Sequence, residues 1–242
     1  MSDLDGDSPA VRREMAELWA FRALAEASAG RRLLRVAGRL ERIDADPALI
    51  ALARRAAGDE LRHQRLCEET ARLFGEVEVP PLVPTEVTGP ADDRRDRAIY
   101  EVVAACCVSE TLNVRVMAAS LVGTRHEGLR RVQKEILRDE VDHSALGWRF
   151  VEQEARRQEL AFLGPMIPGM LGLRSRSRLF RPAEALPDEE RLRALGWLPR
   201  AALLALYQET LETQIFPRLE RLDIPCDEAR RALAEARRAP GG

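Results

Sequence analysis

Apolar residues recur at helical rather than strand spacing along most of this chain, and the runs are broken where prolines and glycines gather. Ser8-Pro9 opens the first run, with Ser8 as N-cap and Pro9 in the first turn, and the pattern predicts a helix to about Leu40. Asp46-Pro47 opens a second in the same way, predicted to reach Phe74, with Gly75 as its stop. A third helix is expected from about Asp92 to Val122. Gly123-Thr124 then makes a short turn, and a fourth helix is expected to continue to about Leu160.

Between the second and third runs, Glu76 to Ala91 holds four prolines and a glycine. At about 3.3 Å per residue this segment reaches ~50 Å, while a helix of roughly 27 residues is only about 40 Å long. The connection can therefore span the whole length of the helices and make the second and third parallel, as a single long crossover does. The regular pattern fails again from Leu163 to Pro187, which carries Pro165, Pro168, Pro182 and Pro187 and a basic run of Arg174, Arg176, Arg178 and Arg181. A short helix near Asp188 to Leu195 and amphipathic helices from Pro199 to Leu222 and Cys226 to Arg238 are expected next, with Pro240-Gly241-Gly242 loose at the end. This divides the chain into an all-α four-helix bundle over residues 8–162, a connecting segment over 163–198, and a C-terminal helical extension over 199–239 packed on the bundle.

Two pentapeptides stand out in these helices: Asp59-Glu60-Leu61-Arg62-His63 and Asp139-Glu140-Val141-Asp142-His143, both reading Asp-Glu-x-x-His. Residues three apart share a helix face, so Glu60 with His63, and Glu140 with His143, each present a carboxylate beside an imidazole. Two such pairs are half of the ligand set of a carboxylate-bridged dinuclear metal site in a four-helix bundle; the other half is one glutamate from each remaining helix. Glu26 and Glu110 fill that role, with Glu17 the fallback for Glu26. Glu26 precedes Glu60 by 34 residues and Glu110 precedes Glu140 by 30, a pseudo-repeat of helix pairs. Of three histidines in the chain, two fall in the motif; His126, just after a turn, reads as solvated.

The faces around these residues are small and apolar. Ala53, Ala56, Ala57 and Cys67 surround Glu60, and Val103, Cys106, Cys107, Val114 and Met117 surround Glu110, with Asn113 the polar exception. Gln133, Ile136, Leu137, Ser144 and Gly147 lie near Glu140, and Ala23, Ala29, Gly30 and Leu33 near Glu26, where Arg22 interrupts. Carboxylates buried on such faces without a partner are very costly, so four in one core make sense around cations. Asp59 and Asp139 point about 100° round their helices from the glutamates that follow them. A metal-bound imidazole usually donates its other N–H to a carboxylate, so Asp59 is expected to orient His143 and Asp139 to orient His63, with Arg62 neutralising one aspartate.

Composition narrows the setting. Ala, Leu, Arg and Glu abound, which favours helix. A formal charge of −2 gives no overall attraction to nucleic acid or membrane. No apolar run reaches the roughly 20 residues of a membrane span, and Met1 to Asp7 lacks a signal peptide's order. A cytoplasmic protein with reduced Cys67, Cys106, Cys107 and Cys226 is expected. The absence of a Cys-x-x-Cys pair argues against a zinc ribbon or rubredoxin-type iron site. Tyr207 and Trp148 read as core.

Glu26 with Asp59-Glu60-Leu61-Arg62-His63 resembles the Glu…Asp-Glu-x-Arg-His signature of the ferritin-like di-iron carboxylate superfamily, and Glu110 with Glu140-x-x-His143 resembles its second half. The likeness covers about residues 10 to 160; Asp142 stands where the second arginine would be. The resemblance implies a ferritin-like bundle in which Glu26, Glu60, His63, Glu110, Glu140 and His143 hold two irons, with manganese as an alternative at either position. It implies a reduced metal pair that activates dioxygen to oxidise or hydroxylate a small organic substrate, fed by an external electron donor or reductase. Tyr100 lies off the face of Glu110, which argues against a radical-storing subunit. A ferroxidase or other iron-handling protein, a tRNA hydroxylase-like enzyme using the arginine run, and a non-enzymatic scaffold with a vestigial site remain open. So does a homodimer; neither a membrane nor RNA is an expected partner.

Overall fold

The computed structural model describes residues 4, 6–78, 93–172 and 188–238. The crossover from residue 79 onward, the arginine run Arg174 to Arg181 and the tail after Arg238 lie outside these. The described residues are all-helical, with no strand among them. Four long helices form the body: α1 (Pro9–Arg42), α2 (Pro47–Phe74), α3 (Arg94–Gly123) and α4 (Glu127–Ala155). A short segment, Ala161–Met170, is followed by α5 (Glu189–Ala194), α6 (200–220) and α7 (Asp227–Arg238).

The helix starts follow from local chemistry. Ser8 Oγ accepts from the Val11 amide at 3.3 Å, and Asp46 Oδ1 from the Ala48 amide at 2.8 Å. Asp93 Oδ1 takes the Arg95 and Asp96 amides at 2.7 and 3.0 Å. His126 serves α4 in the same way, its Nδ1 accepting from the Leu129 amide at 3.3 Å. Each removes an amide that the first turn cannot pair internally. Gly75 ends α2 at φ 140°, a conformation that favours glycine.

Contacts between side chains fix the directions. Arg12 reaches Leu73 O, and Arg54 pairs with Glu41, so α1 and α2 are antiparallel. Asp59 meets His143 and His63 meets Asp139, so α2 and α4 are antiparallel. Arg39 meets Glu101 and Arg22 meets Met117, so α1 and α3 are antiparallel. It follows that α2 and α3 run parallel.

The core falls into two clusters. One holds Leu33, Val36 and Leu40 of α1, Leu49 and Ala53 of α2, Ile99 to Val108 of α3, and Leu146, Phe150 and Val151 of α4. The other holds Val11, Met15 and Trp19 of α1, Cys67 and Phe74 of α2, Met117 of α3, and Leu129 and Ile136 of α4. On α1, α2 and α4 the two clusters are separated by the stretches that carry Glu26, Glu60 with His63, and Glu140 with His143. The buried charges therefore form a layer across the interior. Tyr207 and Trp148 are buried in the first cluster, as expected.

Two departures from the sequence pattern matter. Within α3, Val103–Glu110 is a π-helical stretch. And α4 ends at Ala155, five residues before its expected end, with no proline or glycine to mark the stop. There Glu154 is 1% exposed and receives two bonds from Arg95, at 2.9 and 2.8 Å, while Arg157 folds back on it at 3.2 Å. A long-range ion pair thus anchors the last turn of α4. Beyond it, Leu163, Ile167, Met170 and Leu171 are buried, and α7 packs on Ala161–Met170. α6 lies against the second half of α3. By length and composition Arg94–Gly123 could cross a membrane, although no uninterrupted apolar run announces it; most of it is buried in this core.

Candidate metal centre

Six sequence-selected side chains converge in the buried layer. Glu60, His63 and Glu140 are wholly buried, and Glu26, Glu110 and His143 are 2–3% exposed. They form two groups: Glu26, Glu60, His63 and Glu140; and Glu60, Glu110, Glu140 and His143. Within each group one oxygen or nitrogen per residue lies within 4.8 Å of all the others. Glu60 and Glu140 belong to both, so they stand between the two positions, while Glu26 with His63 and Glu110 with His143 flank them. The imidazole centroids are 5.9 Å apart. Glu17 is elsewhere, paired with Arg13 at the surface.

The orientation of the imidazoles is fixed from outside. His63 Nε2 lies 3.2 Å from Asp139 Oδ2, and His143 Nε2 lies 3.4 Å from Asp59 Oδ2. Donation of Nε2–H to the aspartates leaves each Nδ1 facing the glutamates. Arg62 touches both aspartates: Nη1 donates to Asp59 at 2.8 Å and Nη2 to Asp139 at 2.5 Å. One guanidinium therefore spans both halves, rather than neutralising one aspartate. Asp142, at the equivalent place in the second motif, is exposed.

Inside this frame the polar atoms lack partners. Both oxygens of Glu60, one each of Glu110 and Glu140, and Nδ1 of both histidines are buried without a hydrogen bond. The Nδ1 atoms are 3.1–3.6 Å from Glu60 and Glu140 oxygens, close enough for attraction but without hydrogen-bond geometry. Buried polar groups are normally satisfied, and each orphan costs about 1–3 kcal/mol. Six orphans aimed at one small volume match the donor set of a cation pair.

Protonation in the metal-free protein follows from the same crowding. Burial opposes charge on His63, but Glu140 and Glu60 outweigh it and raise its pKa to about 10. The same balance takes His143 to about 11. Burial and the neighbouring carboxylates push Glu26 and Glu110 well above the usual carboxylate range. Glu140 goes the other way, to about 2, because the imidazoles outweigh the cost of burial. Glu60 and Glu140 are thus held ionised against two imidazolium groups, while Glu26 and Glu110 take up a proton more readily.

Several supporting residues carry no motif. Asn113 Nδ2 donates to Glu140 Oε1 at 2.9 Å; it was visible in sequence only as the polar exception near Glu110. Gly30 lets α1 approach α2, since a Cβ there would lie 3.1 Å from Glu60 Cβ. Gly147 admits the π-helical stretch, since its Cβ would lie 2.5 Å from Cys106 Cβ. π-helical turns often occur at functional sites, and this one ends on Glu110. Cys67, Cys106 and Cys107 are buried free thiols whose pKa burial raises, which fits packing rather than nucleophilic chemistry.

The shared glutamates, the flanking Glu–His pairs and the outward aspartates together describe a buried carboxylate–histidine cluster that could hold metal ions. Comparison with family models, with curated proteins and with solved structures found no match, so the cluster's own geometry carries the functional reading.

Proposed function

We propose that this chain is a ferritin-like dinuclear carboxylate oxidoreductase, binding two irons or a manganese–iron pair and using dioxygen to oxidise or hydroxylate a small organic substrate. The observation that carries the reading is the pair of buried four-residue groups sharing Glu60 and Glu140. Glu26 and His63 would complete one position, Glu110 and His143 the other. Four carboxylates and two imidazoles suit iron or manganese better than softer metals. Such a pair, when bound, supplies the redox chemistry by which dioxygen is activated, and the protein supplies ligands, orientation and a dry environment.

The chain's own residues have separate roles under this reading. Asp59 and Asp139 hold the Nε2 protons and aim Nδ1 inward. Arg62 pairs with both aspartates and holds them in place. Asn113 restrains one oxygen of Glu140. The apolar clusters on either side exclude water from the layer. Electrons come from an external donor.

The test is elemental analysis of protein expressed with iron and manganese, followed by oxygen uptake after anaerobic reduction. About two metals per chain and uptake dependent on them are expected. Glu60→Ala and His143→Ala should lose metal; two metals retained in both variants, or metal-free native protein indifferent to added iron, refutes the reading. Many turnovers of ferrous iron without an organic substrate would assign the site to iron handling instead.

A further inference from the structure

α1 meets its two neighbours in different ways. Toward α2 it presents small residues, with the backbones close enough that Gly30 admits no extra methyl group freely. Toward α3 it extends three arginines. Arg39 meets Glu101 at 2.6 Å. Arg22 lies over the Trp19 ring, 5.7 Å from its centroid, and points an N–H at Met117 Sδ at 3.8 Å. Arg32 donates Nη1 to Ser109 Oγ at 3.3 Å, and Ser109 in turn donates to Ala104 O.

Arg39 has its carboxylate; Arg22 and Arg32 have none within salt-bridge reach among the described residues. Arg32 is the more demanding case. Its Nε is buried without an acceptor, and Nη1 alone is engaged. The Nε–Nη2 edge of a guanidinium is a fork that receives a carboxylate by two parallel bonds. Ser109 adjoins Glu110 in the chain, so the bond to Ser109 brings this fork to the neighbourhood of the candidate metal centre.

Arg32 is not needed to balance the centre. Four glutamates offset two divalent cations, and Asp59 and Asp139 are answered by Arg62 on the α2–α4 side. That side is closed by the imidazoles, the aspartates and Arg62. The α1–α3 side carries half-buried positive charge on helices where Ala29, Leu33, Ala105 and Cys106 are buried. Arg22 is ten residues away, about 15 Å along a helix, so the two arginines cannot grip one small anion together.

We propose that the α1–α3 seam is the substrate side of the centre, where the Arg32 fork binds the carboxylate of an organic acid and sets its carbon skeleton toward Glu110. The anion site stands on the arginine geometry; only the meeting of its ligand with bound metal rests on the dinuclear reading.

The probe is benzoate, with benzamide as its uncharged counterpart, titrated calorimetrically into zinc-loaded protein so that no redox chemistry intervenes. Wild type should bind benzoate and discriminate against benzamide. Arg32→Gln should weaken benzoate by about tenfold or more, the loss expected for a charge-assisted bidentate pair. Arg32→Lys, which keeps the charge but not the fork, should fall between. Thermal melts establish that each variant is folded, and Arg32→Lys carries the test if Arg32→Gln is not. Equal binding of benzoate and benzamide, unchanged affinity in the folded variants, tighter binding of inorganic phosphate than of benzoate, or no benzoate binding by wild type overturns the proposal. Metal content of the wild type, measured on the same samples, tests the dinuclear reading separately.

Discussion

Metal uptake should expel protons from this core, and the structure gives the number. In the metal-free protein His63 and His143 titrate near about 10 and 11, so at pH 7.5 both carry a proton on Nδ1 as well as on Nε2. Binding through Nδ1 removes one proton from each. Burial and the neighbouring carboxylates also push Glu26 and Glu110 well upward, so any proton they hold adds to this number. We expect at least two protons released per chain at pH 7.5, one from each imidazole. Each released proton makes the apparent metal affinity rise tenfold per pH unit, or about 1.4 kcal/mol. Calorimetry in two buffers of different ionisation enthalpy counts the protons directly. The metal-free fold should respond in the opposite sense. A raised imidazole pKa stabilises it fully below the unfolded value of 6.5, and that contribution is lost as pH rises through about 10 and 11. The gap in melting temperature between loaded and metal-free protein should therefore widen between pH 7 and 9. Release of one proton or fewer, or a metal-free melting temperature that climbs across this range, refutes the argument.

Other perturbations separate the parts. Gly147→Ala places a Cβ 2.5 Å from Cys106 Cβ and should cost about 1–3 kcal/mol by overpacking. Because the π-helical stretch ends at Glu110, metal content should fall too; a stable variant with full metal would show that this contact does not set Glu110. Arg62→Leu removes the bridge between Asp59 and Asp139 and should weaken metal binding about 10–100-fold. Arg138→Leu, whose side chain is 74% exposed beside Asp139, should stay close to wild type in the same competition assay. Glu154→Ala leaves Arg95 without its buried partner at the end of α4 and should cost about 2–4 kcal/mol in a denaturant melt. Its metal content should not change; a loss would couple the helix end to the centre.

The starts of α1 and α2 were legible because they are local: Ser8 and Asp46 cap amides of their own first turns, whatever the rest of the chain does. The ring of His126, read from sequence as solvated, instead caps α4. The metal-type motif was legible for a related reason, since Glu and His three apart share a face on any helix. The end of α4 was not, because the ion pair that anchors its last turn comes from Arg95, on another helix. Nor was the π-helical stretch, where the sequence of Val103 to Glu110 gives no local signal and the fit against Gly147 selects the geometry.

By itself the sequence determined where the long helices lie, which faces are apolar, and which six side chains have the chemistry for a shared site. Those are properties of spacing and residue type. Only the tertiary structure decided that Glu60 and Glu140 lie between the two positions, that a single Arg62 serves both aspartates, and that Arg32 faces α3 without a carboxylate. Each depends on which helix lies beside which and in what register, and packing across the whole core sets that register.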